Sequence, residues 1–222
     1  MSEIVIAAKC LPGERLFKDI AASGLQAVEL YLREDILEDS ASVISLCKKF
    51  PFRYALHAPN KGYQPRELAA LASGIDAEVI VFHNNYWEDE WAGVFEAFKN
   101  LKTKVCVENI FCAHEPVKIM RRFHAFRCLD LEHLQLETNG VFEEIFLELM
   151  KEATHIHLTG YTAGSQMWHT PIHHSPEHNE YILNLIKKSG YKGLVVSEAK
   201  VSFQNPTEFK ALNEFFQKWK NR

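Results

Sequence analysis

Eight short apolar runs recur along the chain, and their order and spacing restrict its fold more than any other feature of the sequence. None shows the strict apolar–polar alternation of a strand with one face in water, so the runs are typical of strands in a parallel sheet covered on both faces. Helical segments separate them; one has Ser175 and Pro176 at its start and Gly190 at its end. Eight strand–helix units without a linker predict one domain over residues 1–222, a compact (β/α)8 TIM barrel with short loops. The runs are "EIVIAAK" (3–9), "AVELYL" (27–32), "RYALHAP" (53–59), "EVIVFHN" (78–84), "KVCVENI" (104–110), "RCLDLEHL" (127–134), "THIHLTG" (154–160) and "GLVVSEA" (193–199).

Composition excludes several classes of protein. With 222 residues, 47% of them hydrophobic, the chain can bury a sizeable core, and its net charge of -4 indicates no general attraction to nucleic acid or to an anionic membrane. No apolar run approaches the roughly 18 residues of a membrane span, and residues 1–11 lack the basic start of a signal peptide. The five cysteines contain no C-x-x-C, so neither a disulfide framework nor a thiolate zinc site is predicted. We therefore expect a cytoplasmic, reduced protein without a membrane partner.

Seven of the runs carry an acid or a histidine at or near their C-terminal end, at intervals of 22 to 41 residues. One such residue commonly does no more than hydrogen-bond a loop. Seven residues that recur at the same point of successive strand–helix units would meet on one rim of a parallel barrel, where the active sites of this architecture lie. Carboxylates packed together repel one another unless they are protonated or bind cations, and imidazoles beside them favour transition metals over Mg²⁺ or Ca²⁺. The seven residues are Glu29, His57, His83, Glu108, Asp130, His157 and Glu198.

Short motifs at these strand ends resemble those of a known family, the xylose-isomerase-like TIM barrels that include the family 2 AP endonucleases. Each motif alone is weak, but seven occur in the family's order along nearly the whole chain. They are "LHAPN", "VFHNN", "CVEN", "CLDLEH", "IHLTG", "WHTPIHH" and "VVSEA".

The resemblance implies roles for individual residues. In the sugar isomerases and epimerases of the family, one divalent metal is held by the residues that match Glu108, Asp130, His157 and Glu198. In the endonucleases, residues matching His57 and His83 join Glu108 at a further ion, and those matching His133 and His169 hold a third. The implied cofactor is a divalent transition metal, Zn or Mn, with one to three ions.

The sequence departs from the endonuclease pattern at several positions. Met167 stands where the endonucleases have an aspartate ligand, which puts the third ion in doubt because a thioether is a poor ligand for such ions. Asn60 replaces an aromatic residue, and Gly160 replaces the acid that closes the strand-seven motif. Residues 158–175 also lack the arginine with which the epimerases usually bind substrate.

Four further residues are candidates for substrate contact: Trp87, Asn109, His155 and Trp168. His155 is on the same side of its strand as His157, so it is either a ligand or, the interpretation we favour, a buried hydrogen-bonding partner. Trp91 has helical spacing with Phe95 and Phe98, which indicates a core position.

Three functions remain open at this point: two different enzymatic reactions, and binding of metal or ligand without turnover. The favoured one is a metal-dependent isomerase or epimerase for a sugar or sugar-like polyol or keto acid, with Glu108 and Glu198 as catalytic acid and base. The alternative is a zinc phosphodiesterase of the endonuclease type, but the acidic balance of the chain disfavours nucleic acid as a partner. A homo-oligomer is compatible with either.

Overall fold

The computed structural model describes residues 3–62, 64–138, 146–161 and 168–222. Within these ranges, eight parallel strands follow one another in chain order, and pairing of the last strand with the first closes the barrel. The predicted (β/α)8 fold is confirmed. The strands are β1 (Val5–Cys10), β2 (Ala27–Tyr31), β3 (Arg53–His57), β4 (Val79–His83), β5 (Lys104–Glu108), β6 (Phe126–Asp130), β7 (Ala153–Leu158) and β8 (Leu194–Ser197).

Helices connect the strands around the outside of the barrel, because parallel strands need crossover connections. The helix predicted from Ser175 and Pro176 begins at Pro176, and two further helices also begin at a proline, Pro65 and Pro206. No helix in the described ranges is both long and apolar enough to cross a membrane. The helices are α1 (Glu14–Ala22), α2 (Glu34–Leu37), α3 (Ser40–Cys47), α4 (Pro65–Gly74), α5 (Glu88–Phe98), α6 (Val117–Phe123), α7 (Leu131–Glu137), α8 (Phe146–Glu152), α9 (Pro176–Lys188) and α10 (Pro206–Lys220), with 3₁₀ turns at Ile172–His174 and Val201–Phe203.

Apolar side chains form two clusters, one on each side of the sheet. The larger lies between strands and helices and contains large residues such as Phe82 and the completely buried Trp91. The smaller fills the barrel interior with short side chains, including Ala7, Ala27 and Cys128. Short side chains are needed because eight strands leave an interior only just wide enough for side chains to fill.

The barrel interior changes from apolar to polar just above the smaller cluster. Side chains alternate along a strand, so the residue two positions after each interior apolar residue also faces the interior. Ala7 is thus followed by Lys9, and Cys128 by Asp130. We call the resulting set at the C-terminal strand ends the polar rim; it comprises Lys9, Glu29, His57, His83, Glu108, Asp130, His157 and Glu198.

Candidate metal centre

Four rim residues bring donor atoms to a common point. Ligand atoms of Glu108, Asp130, His157 and Glu198 all lie within 4.8 Å of one another. His157 Nδ1 is 3.1 Å from Glu108 Oε1, 3.0 Å from Glu198 Oε2 and 4.0 Å from Asp130 Oδ2. Two ligands of one Zn²⁺ or Mn²⁺ ion are separated by at most about 4.6 Å, twice the bond length. The spacing therefore suits a single divalent ion with these four ligands.

Unpaired oxygen atoms at this point also fit a cation. Asp130 Oδ2 is buried and accepts no hydrogen bond from the described residues. Glu198 Oε2 is buried too, and although His157 Nδ1 is 3.0 Å away, the angles do not form a hydrogen bond. The other carboxylate oxygen of Asp130 caps α7 by accepting the backbone N–H of His133 at 3.0 Å, which fixes the direction of the unpaired one. Burial, followed by repulsion from Glu108 and Glu198, raises the pKa of Asp130 well above its usual value. A bound cation would reverse this effect because it stabilises the ionised carboxylate.

Glu29 lies beneath the four residues and orients His157. Its Oε2 is 3.0 Å from His157 Nε2 and 2.7 Å from His155 Nε2, and all three side chains are completely buried. An ionised carboxylate can only accept a hydrogen bond, so Glu29 keeps a proton on His157 Nε2. A metal ion would then bind at Nδ1, the nitrogen that faces Glu108 and Glu198. Histidine ligands of metals are typically oriented by such a partner.

Lys9 is the rim residue that the sequence analysis missed. Its ammonium contacts Glu198 Oε1 and lies 3.4 Å from Glu29 Oε1, and only 7% of the side chain is exposed. The signal was available in the sequence, because Lys9 follows Ala7 by the same two-residue step that places Asp130 after Cys128. A lysine at a strand end, however, is most often an ordinary surface residue, and a pattern of acids and histidines does not point to it.

A second set of donors surrounds the other oxygen of Glu108. His57 Nε2 and His83 Nε2 each lie 3.1 Å from Glu108 Oε2, whereas Oε1 faces His157. Burial, the largest influence, lowers the pKa of His57, which favours the neutral imidazole that can act as a ligand. Glu108 therefore has the geometry of a carboxylate that could bridge two ions.

His133 and His169, the ligands implied for a third ion, do not point to a common position. His133 Nε2 is 3.7 Å from Asp130 Oδ2, whereas His169 Nδ1 turns to Glu132 Oε2 at 2.7 Å. Among the described residues, His133 and His169 share no group of three converging donors. Met167, where the aspartate ligand would be, lies outside the described residues.

The departure at Gly160 has a steric reason. Gly160 forms an antiparallel bridge with Thr170, and a Cβ at Gly160 would lie 2.5 Å from Thr170 Oγ1 and 2.6 Å from the Pro171 carbonyl oxygen. Such contacts are too close for any side chain. The chain after β7 therefore requires glycine where the endonuclease motif has an acid.

A cavity of about 390 Å³ opens above the rim. Lys9, Glu108 and Glu198 line it on the polar side, and Leu11 and Ile110 are among its apolar walls. Two larger cavities, of about 800 Å³ and 630 Å³, border neither glutamate, so we assign the chemistry to the smaller one.

The four candidates for substrate contact are not among the described residues that line this cavity. Trp87 is 79% exposed and Trp168 is 41% exposed. Asn109 is completely buried; its amide nitrogen donates to the Asp130 carbonyl at 3.0 Å and its amide oxygen accepts the Asp130 N–H at 2.9 Å. Asn109 thus holds the backbone of a proposed ligand, and His155 pairs with Glu29 below the cavity floor.

Comparisons with known proteins identify the fold. No family model matches the chain, and no curated protein matches its sequence. D-allulose 3-epimerase from Methylomonas sp. matches with a TM-score of 0.65 at 14% identity over 99% of both chains. L-ribulose 3-epimerase matches with a TM-score of 0.63 at 12% identity, over 99% of this chain and 94% of that one. Phosphoribosylanthranilate isomerase from Thermotoga maritima gives 0.58 at 10% identity, over 96% of this chain and 98% of that one. At these identities the likeness establishes the TIM-barrel fold, which supports many chemistries.

Proposed function

We propose that the protein is a divalent-metal-dependent isomerase or epimerase acting on a sugar or a sugar-like polyol or keto acid. The convergence of Glu108, Asp130, His157 and Glu198 below a cavity of about 390 Å³ is the observation that carries the proposal. The structural neighbours support the substrate class, since two are sugar 3-epimerases and one structure contains D-allulose. The donor set of one imidazole and three carboxylates suits Mn²⁺ or Zn²⁺.

We assign the proton transfer to Glu108 and Glu198. Glu108 ends β5 and Glu198 directly follows β8, three strands further around the barrel, and both side chains line the cavity. A metal ion held by the four converging residues would supply a Lewis acid that polarises a substrate carbonyl and acidifies the adjacent C–H bond. One glutamate can then accept the proton on one side of the substrate while the other returns a proton on the opposite side.

In each of the two glutamates, one carboxylate oxygen faces His157 and the other faces a different partner. Glu108 Oε2 faces two imidazoles, whereas Glu198 Oε1 faces the Lys9 ammonium. Lys9 also lines the cavity, so its charge can stabilise negative charge that develops on a substrate oxygen when the C–H bond is broken. In this proposal Lys9 assists the charge stabilisation.

A solvent-exchange assay tests the proposed function. The Mn²⁺-loaded protein is incubated in D₂O with a panel of ketoses, sugar acids and keto acids, and deuterium at the carbon next to the carbonyl is measured by NMR. We expect exchange with at least one substrate. In the Glu198→Gln variant the hydrogen that faces position 198 should no longer exchange, because an amide cannot accept the proton, and conversion of the substrate should stop. Retained metal binding by this variant shows that the site is still assembled. Absence of exchange across the panel would contradict the proposal.

The arrangement of His57 and His83 on Glu108 favours a second candidate, the zinc phosphodiesterase. Two ions bridged by Glu108 could bind a phosphate and activate water. An abasic DNA duplex included in the same assay, with Zn²⁺ in place of Mn²⁺, distinguishes the two functions. Strand cleavage without any carbon-bound exchange would replace the isomerase by the phosphodiesterase.

A further inference from the structure

A second group of potential ligands lies outside the polar rim. His173 Nε2 and His174 Nε2 are each 2.8 Å from the same atom, Oε2 of Glu208, and the two rings are nearly perpendicular at 88°. The three donor atoms lie within 4.8 Å of one another. We call these three residues the peripheral cluster. Its members lie in a 3₁₀ turn and in a helix, 35 and 34 residues apart in the chain, so sequence spacing alone does not bring them together.

The backbone on the histidine side of the cluster is fixed independently of it. Ile172, which begins the 3₁₀ turn, is completely buried, and its carbonyl accepts the side-chain amide of buried Asn179 at 2.7 Å. The turn is closed by the N–H of His174, which donates to the Pro171 carbonyl at 3.0 Å. Little conformational entropy is therefore lost when the imidazoles come together.

The carboxylate side is fixed as well. Glu208 lies in the first turn of the fifteen-residue helix α10, and its N–H donates to the capping side chain of Asn205 at 3.2 Å. The Glu208 side chain thus starts from a rigid position opposite the 3₁₀ turn. Both sides of the cluster are preorganised, as a metal site requires.

The donors suit a zinc-type ion. Two imidazole nitrogens and one carboxylate oxygen are a recurrent zinc ligand set, with a fourth position left for water. Exposure increases from His173 at 11% through Glu208 at 22% to His174 at 35%, so one side is open to an incoming ion. A hydrogen-bonded tether between the turn and α10 needs only one histidine. A metal site needs additional ligands, and the second imidazole, directed at the same oxygen, supplies one.

We propose that His173, His174 and Glu208 bind one divalent transition ion of the zinc class, separate from the ion at the polar rim. The ion clamps the segment after β7 to the start of α10. A small cavity behind the cluster is also lined by Lys9 and Gln204, which line the main cavity too, so the clamp supports one wall of the candidate active site. This site does not depend on the proposed function.

Zinc stoichiometry and thermal stability test the proposal on the full chain. Because an ion that binds only the folded state raises the unfolding temperature, we expect Zn²⁺ to stabilise the protein further after the rim ion has been removed by Asp130→Ala. In that background His174→Ala should bind one zinc fewer per chain and lose this stabilisation. His114→Ala removes another exposed histidine, away from the cluster, and should change neither quantity.

Glu208→Gln separates a metal site from a tether. The amide oxygen of glutamine still accepts the imidazole N–H groups, so a simple tether survives, whereas the carboxylate ligand is lost. We expect Zn²⁺ affinity at this site to fall roughly tenfold or more, with an unchanged unfolding temperature in chelator. Equal zinc stoichiometry and affinity in the Asp130→Ala protein, with and without His174→Ala or Glu208→Gln, would overturn the proposal and identify the cluster as a tether only. Neither result alters the exchange assay at the rim.

Discussion

Replacing Lys9 by methionine tests whether the polar rim is a balanced charge cluster. Lys9 lies between Glu29 and Glu198, whose side chains are 0% and 13% exposed. At the 3.4 Å separation of Lys9 Nζ from Glu29 Oε1, and with an effective dielectric constant near 20, the Coulomb attraction is about 5 kcal/mol. Removing one partner of a buried ion pair typically costs about 3–5 kcal/mol, since the remaining charge is left uncompensated. We expect a loss of that size in the free energy of unfolding of metal-free Lys9→Met.

A divalent ion should reduce this loss. An ion held by Glu198 supplies positive charge close to the site of the missing ammonium, so saturating Mn²⁺ should stabilise Lys9→Met more than the wild type. Urea denaturation with and without chelator measures both quantities. Lys18→Met is the matched control, because Lys18 forms an exposed ion pair with Glu14 and should have little effect. If Lys9→Met in chelator is as stable as this control, the charge balance inferred for the rim is wrong.

Three other predictions concern the metal. Glu29→Gln removes the charge that orients His157, so Mn²⁺ affinity, measured by electron paramagnetic resonance titration, should fall about 10- to 100-fold; an unchanged affinity would contradict the orienting role. Replacing both His57 and His83 by alanine should lower the zinc content by one ion per chain and leave the Mn²⁺ site in place, whereas an unchanged content would make them substrate contacts. Burial and neighbouring carboxylates raise the pKa of Asp130, so protons compete with the metal ion up to a higher pH than at an ordinary carboxylate; affinity should rise with pH, and titration calorimetry in buffers of different ionisation enthalpy measures the protons released on binding.

Periodicity explains how much of the structure could be predicted from the sequence. Strands in a closed parallel barrel are covered on both faces, so their apolar runs were easy to recognise, and their regular recurrence predicted the fold. Their positions at the C-terminal ends of successive strands then predicted that Glu108, Asp130 and His157 meet on one rim, and these residues do lie on adjacent strands. Both inferences depend only on local pattern and strand order.

Features that depend on loop geometry or on distant pairs could not be predicted in this way. His169 has a positive φ of 52° and turns to Glu132, an orientation that spacing along the chain does not encode. The contacts of His173 and His174 with Glu208 join a 3₁₀ turn to a helix that begins 32 residues after the turn ends, at Pro206. Three-dimensional placement was needed to bring these residues together.

Anomalous diffraction from crystals grown with Mn²⁺, recorded on both sides of the manganese absorption edge, tests the central claim most directly. The account predicts one strong peak bonded to Glu108, Asp130, His157 and Glu198, with ligand atoms about 2.0–2.3 Å from the ion. The peak should disappear in Asp130→Ala crystals grown in the same way. Crystals of active protein with no manganese peak at these four residues would contradict the proposed metal centre and the proton-transfer chemistry assigned to it.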